Sequence, residues 1–200
     1  MCALRIPTFV LVLLSVVTRS LAQQSEFSGS KVQILIAGEI GQRWEGQIRE
    51  YFHENLWIQS DFRRIDAITN GVASHMPSCC LESPLARNTV TVCIVDGPVP
   101  ACGANVGAFD LFPEQRCGVV WAACLKPEEE AGDPGADGVW LARIQKQTLF
   151  VAARLMGKIE CPFWLCVMHA DETIEDVDFK ARGFCPPCRE RMGTLVGFPN

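Results

Sequence analysis

Near the end of the chain two cysteine pairs, Cys161-Pro-Phe-Trp-Leu-Cys166 and Cys185-Pro-Pro-Cys188, stand eighteen residues apart. Both intervals are ones at which paired thiolates close on a single tetrahedral zinc. Four sulfur ligands leave no open coordination position, so such an ion stabilises a fold without doing chemistry. Two disulfides are the competing reading. A redox C-x2-C ranks below both, because Pro-Pro follows Cys185 without a thioredoxin-like context. Under the zinc reading, residues 161–188 form a small four-cysteine subdomain.

The compartment bears on that choice. The first residues, MCALRIPTFVLVLLSVVTRSLAQQ, carry Arg5, an apolar run from Phe9 to Val17, and Ser20-Leu21-Ala22 with small residues at its first and third places. That layout predicts a secretory signal peptide over residues 1–22, cut after Ala22, then a polar leader over 23–30. The apolar run is shorter than the roughly 20 residues a bilayer core requires, so no membrane span is expected after cleavage. Export, to a periplasm or beyond, makes disulfides plausible for the ten remaining cysteines. Cleavage leaves 16 basic and 23 acidic residues, a net charge of −7. An acidic balance of that size excludes a broad nucleic-acid footprint, which needs a surplus of Lys and Arg on one face.

The middle of the chain reads as one layered α/β domain over 31–200, a mixed sheet with packed helices. Lys31–Ala37 is a β-branched apolar run ending at Gly38, as a buried strand would. From Gln42 to Leu56, Trp44, Ile48, Phe52 and Leu56 recur every four positions, which predicts an amphipathic helix with Arg43, Glu50 and Glu54 in water. Trp57–Ile68 suggests a second strand. Thr69–Arg87, with Gly71, Pro77, Pro84 and the adjacent Cys79-Cys80, reads as a long loop. Neighbouring cysteines seldom pair with each other, so oxidation would send those two to different partners. Thr89–Val95 is the clearest strand, and Cys117–Leu125 is another. Cys93, Cys102, Cys117 and Cys124 are open between buried thiols and bridge halves. Lys126–Gly138 is most simply a solvated acidic loop, since its Glu128-Glu129-Glu130 lacks EF-hand spacing. Val139–Gly157 has no proline or internal glycine and is apolar nearly all round in its second half, which predicts a buried helix.

The three histidines, His53, His75 and His169, are scattered and never four residues apart. The paired imidazoles of most catalytic zinc sites are therefore missing.

Read together, Phe150 to Met192 resemble the archaemetzincin family of zinc metallopeptidases. That family's pattern is HExxHxxGxxHC, then x4-C-x-M, and later C-x2-C; Gly157, Cys161, Cys166, Met168, Cys185 and Cys188 fall in register, with Asp176-x-Asp178 and Phe184-Cys-Pro-x-Cys-Arg as further context. The resemblance covers roughly residues 31–195. It implies a metzincin-like α/β fold, one structural zinc on Cys161, Cys166, Cys185 and Cys188, and Met168 as the methionine of the Met-turn beneath the metal. His169, next to it, reads as a surface or hydrogen-bonded residue.

The same resemblance sets the family's three zinc-binding histidines at Phe150, Arg154 and Glu160, and its catalytic glutamate at Val151. Phe150 has no lone pair, Arg154 is permanently cationic, and Val151 accepts no proton. The expectation is a homologue without peptidase chemistry, in which Arg154 and Glu160 form an ion pair within about 4 Å across the vacated space and Phe150 fills the rest. The pair is expected to be buried and structural, because stranding one charge of a buried pair costs about 3–5 kcal/mol. The retained fold could bind a peptide or protein along a strand edge, which the resemblance places at Gly107–Leu111. An active archaemetzincin-type peptidase and a disulfide-stabilised exported structural protein are the alternatives.

Overall fold

The structure is a computed structural model that describes residues 31–56, 60–65, 89–97, 108–128, 135–157 and 160–196. The expected signal peptide and leader, the whole loop 69–87 with Cys79 and Cys80, Cys102 and Gly107 lie outside the described residues.

Five strands form one sheet: β1 (Lys31–Ala37), β2 (Ser60–Ile65), β3 (Thr89–Val95), β4 (Phe109–Phe112) and β5 (Cys117–Trp121), in the order β2-β1-β3-β5-β4. The first four in that order are parallel, and β4 runs antiparallel to β5 at the edge. Strands buried on both faces read as continuous apolar runs, which is why KVQILIA and TVTVCIV are so plain in the sequence. After β1 the chain reverses at Gly38, whose φ of 86° suits glycine alone; a Cβ there would meet the Asp96 carbonyl oxygen at 2.7 Å.

The helices are α1 (Ile40–Leu56), α2 (Ala136–Gly157), α3 (Ile174–Phe179) and α4 (Pro186–Val196). Trp44, Ile48, Phe52 and Leu56 of α1 are all buried, joined by Tyr51. They share one core with Val32, Ile34 and Ile36 of β1, Val90, Val92 and Ile94 of β3, and the second half of α2. Trp44 meets Trp140 edge-on at 5.0 Å, and the Trp140 indole donates to the Ala122 carbonyl at 2.7 Å. The other face of the sheet carries a smaller cluster of Leu35, Cys93, Val95, Cys117, Val119 and Trp121.

Some boundaries differ from the sequence expectation. The strand begun at Cys117 stops at Trp121, and Ala122–Leu125 closes into a 3-10 turn. The helix expected from Val139 begins at Ala136, inside the stretch read as loop. Asp137 lies in its first turn, where a carboxylate suits the helix dipole, and is ion-paired with Arg43. Of the strand placed over Trp57–Ile68, Ser60–Ile65 is described as strand, and the rest of that range lies outside the described residues. Among the described residues, no helix is long and apolar enough to cross a membrane.

Candidate metal centre

After α2 the chain relies on turns. Cys161 and Cys166 bracket one of them, fastened by the Cys166 amide donating to the Phe163 carbonyl at 2.9 Å and the Cys161 amide to the Met168 carbonyl at 3.3 Å. Cys185 immediately precedes α4 and Cys188 sits in its first turn. Pro186 and Pro187 suit that start, because first-turn amides have no partner within a helix and proline's fixed φ is already helical.

This folding brings the four sulfurs within 4.8 Å of one another, with Cys161 and Cys185 at 3.6 Å. Zinc–sulfur bonds of about 2.3 Å at tetrahedral angles put sulfurs about 3.8 Å apart, so the cluster fits a divalent ion with minor contraction. Cys166 Sγ also accepts the backbone N–H groups of Met168, at 3.5 Å, and Cys185, at 3.4 Å. Donors aimed at a sulfur favour its thiolate. Without a metal, burial raises the Cys166 and Cys188 thiols above their ordinary range. At Cys185, burial is outweighed by the Cys188 amide and the neighbouring thiols, so that thiol sits lower. A metal must displace protons from such a cluster, which ties its affinity to pH.

The described cysteines fall into two chemical groups. Cys161, Cys166, Cys185 and Cys188 are free thiols. Cys93, Cys117 and Cys124 are disulfide-bonded. The alternative in which the C-terminal four form two disulfides is therefore not the state of this structure.

The four positions that the resemblance aligns with the family's ligands and base are distributed between core and surface. Phe150 is buried, its ring 5.3 Å from that of Phe109. Val151 is fully buried over Gly118 of β5, so closely that a Cβ on that glycine would lie 2.4 Å from Val151 Cγ1. Arg154 Nη1 lies 2.7 Å from Glu160 Oε1. The expectation that this pair would be buried is corrected: the Glu160 side chain is 80 % exposed and that of Arg154 23 %. Water screens such a pair, so Glu160→Ala is expected to change stability in a urea titration by less than about 1 kcal/mol. Met168 is a fully buried core residue. His169 Nδ1 lies 2.9 Å from the Cys161 carbonyl, which ties that ring to backbone.

The charge that sequence reasoning missed is Lys180. It is buried, its Nζ lies 4.7 Å from the Phe150 ring centroid, and it is ion-paired with Asp171 Oδ1 at 2.5 Å. Gln147 Nε2 donates to the other Asp171 oxygen at 2.8 Å. Burial outweighs the pairing, raising the Asp171 carboxyl and lowering the Lys180 ammonium from their ordinary ranges. Nearby, Lys146 Nζ donates to the carbonyls of Val177 and Asp178, and Arg143 grips the Asp178 carboxylate with two nitrogens at 2.8 and 2.6 Å. Only the polar letters at 143, 146 and 147, in the buried stretch of that helix, hinted at this network.

Lys180→Met strands the Asp171 charge and is expected to cost about 3–5 kcal/mol at neutral pH. The deficit should shrink on acidification, because Asp171, its pKa raised further, takes up a proton earlier in the folded chain than in the unfolded one. Urea titrations at pH 7 and pH 5 check this, as does recovery in a Lys180→Met/Asp171→Leu double variant.

No protein-family model matches the chain. Among curated proteins, an archaemetzincin of Thermococcus kodakarensis is 31 % identical over 77 residues, 38 % of this chain and 41 % of that protein. One of Aeropyrum pernix is 34 % identical over 63 residues, 32 % of this chain and 34 % of that protein. A third, of Pyrobaculum aerophilum, is 29 % identical over 133 residues, 66 % of this chain and 69 % of that protein. The match thus spans well under half the length of the first two relatives. Among solved structures, the archaemetzincin of Methanopyrus kandleri superposes with a TM-score of 0.60 at 20 % identity, covering 84 % of this chain and 96 % of that one. A zinc-dependent peptidase of Methanocorpusculum labreanum gives 0.59 at 14 %, covering 80 % and 99 %.

The fold is thus a single mixed α/β domain of the kind these solved peptidases have, with a four-cysteine group that can hold a metal ion. By sequence the chain is an archaemetzincin homologue over part of its length, and it shares the fold of a solved archaemetzincin.

Proposed function

We propose that this chain is an exported archaemetzincin homologue that has lost peptidase chemistry, carries one structural zinc, and works by binding a peptide or protein. The observation that carries the reading is the state of α2. Its residues at the family's ligand and base positions are a buried aromatic ring, a valine packed on Gly118, and a guanidinium paired with a carboxylate. None of these fits a catalytic zinc: neither hydrocarbon offers a lone pair, and a fixed positive charge repels a dication. The zinc assigned here belongs to Cys161, Cys166, Cys185 and Cys188, whose spacing suits it.

Export is supported by the leader pattern and by the cysteine chemistry. Disulfide-bonded Cys93, Cys117 and Cys124 suit an oxidising compartment, where four free thiols in contact persist when a metal occupies them. For a partner, β4 pairs with β5 on one side and stands at the end of the sheet. Main-chain pairing along such an edge needs neither metal nor glutamate.

The test is metal analysis of the purified mature chain, with thiol counting after chelation under denaturing conditions and an assay on unstructured peptides. One zinc per chain, four alkylatable thiols from the C-terminal cluster and no cleavage support the reading. A second zinc with chelator-sensitive cleavage supports an active peptidase instead.

A further inference from the structure

The sulfurs of the cluster are not equally reachable. Cys166 and Cys188 are buried, whereas Cys161 and Cys185 are partly exposed and already 3.6 Å apart. A cavity of about 440 Å³ opens over them, with Phe163 and Pro187 among its walls and the exposed Glu160 and Arg191 at its edge. Cys161, Cys185 and Cys188 all line it, but Cys188 is buried, so the two partly exposed sulfurs are the ones solvent reaches most readily. Cys166 Sγ, by contrast, is held by two backbone N–H groups.

We infer that this cavity is a thiol–disulfide exchange site, where a small zwitterionic disulfide converts Cys161 and Cys185 into a bridge whenever the metal is absent. The inference rests on the reading of the cluster as a zinc site that meets an oxidising compartment. A thiolate of the pair attacks one sulfur of the small disulfide RSSR, forming a mixed disulfide and releasing RS⁻. The second thiolate attacks the protein sulfur of that mixed disulfide and expels the other RS⁻. Two protein thiols are oxidised to one disulfide, RSSR is reduced to two RSH, and the two cysteine protons end on the departing thiols. Closure draws the sulfurs from 3.6 Å to about 2.05 Å. The apolar walls accommodate the hydrocarbon of such a co-reactant, and one acid with one base suits its ammonium and carboxylate groups. Bridging removes two of four ligands, so bound zinc and the Cys161–Cys185 disulfide are alternative states.

The experiment uses the full mature chain, zinc-loaded and chelator-stripped, incubated with oxidised glutathione, alkylated, digested and mapped by mass spectrometry. The stripped chain should yield one new crosslink joining the Cys161 and Cys185 peptides, with Cys166 and Cys188 alkylated. The zinc-loaded chain should form it at least about tenfold more slowly, since metal-bound thiolates are shielded from attack. Cys161→Ser should trap a glutathione adduct on Cys185. Crosslinks of Cys161 to Cys166 or Cys185 to Cys188 as the main products, or equal rates with and without zinc, overturn the inference. Zinc uptake is measured separately by metal analysis: a chain that takes up no zinc sinks the metal reading, while the crosslink map of that chain still tests the exchange site.

Discussion

Replacing Val151 by glutamate, at the position where the resemblance sets the family's catalytic base, is expected to cost about 3–5 kcal/mol and to yield no cleavage. Val151 is fully buried, and its Cγ1 sits where Gly118 leaves room for nothing larger than a hydrogen. A carboxylate at that point either remains charged without a partner or takes up a proton at neutral pH, and the longer side chain also overpacks β5. Urea titration gives the cost, and a peptide assay gives the absence of activity. A stable Val151→Glu chain that cleaves peptides would show that the helix turns a different face to solvent than the one described.

Metal removal should have an effect of similar size. Residues 160–196 contain one helix of six residues and one of eleven, joined by turns, and the four cysteines tie the segment's first turn to the start of the longer helix. Helices this short are marginal on their own. With free zinc a thousandfold above its dissociation constant, chelation should remove about 4 kcal/mol of stability, since the ion binds the folded chain alone. Thermal unfolding with and without chelator, followed by circular dichroism, checks this. Cys185→Ser/Cys188→Ser should show the lower midpoint at once, and chelator should shift it no further. An unchanged midpoint in the wild type would mean that packing of Val167, Met168, Phe184 and Met192 suffices.

What could be read from the letters depended on how local the cause was. β1, β3 and α1 were legible because burial on both faces, or along one stripe, writes itself into a short run of residues. The cysteine spacing was legible for the same reason: two turns and one helix start set it. The edge strand, placed by resemblance at Gly107–Leu111, is Phe109–Phe112, and its period is too short to betray it. Lys180 and Asp171 were invisible because they are nine residues apart with no fixed geometry between them, and each reads as a surface residue until Gln147 and Phe150 are brought beside them. The Arg154–Glu160 pair lies within hydrogen-bonding distance, yet its exposure depends on the shape of the chain after α2, which no spacing encodes. Whether Cys93, Cys117 and Cys124 were thiols or bridge halves likewise depended on contacts distant in sequence.

The polar side chains that α2 buries have a bearing on how the molecule is made. Arg143, Lys146, Gln147 and Phe150 all turn to groups between Asp171 and Lys180. While the chain is being synthesised, Lys146 and Gln147 lack these partners, and Arg143 has only the Leu125 carbonyl, until some thirty further residues have left the ribosome. The spine of the domain is therefore expected to lock into place late, when its last stretch docks, rather than to act as a template for the residues made after it.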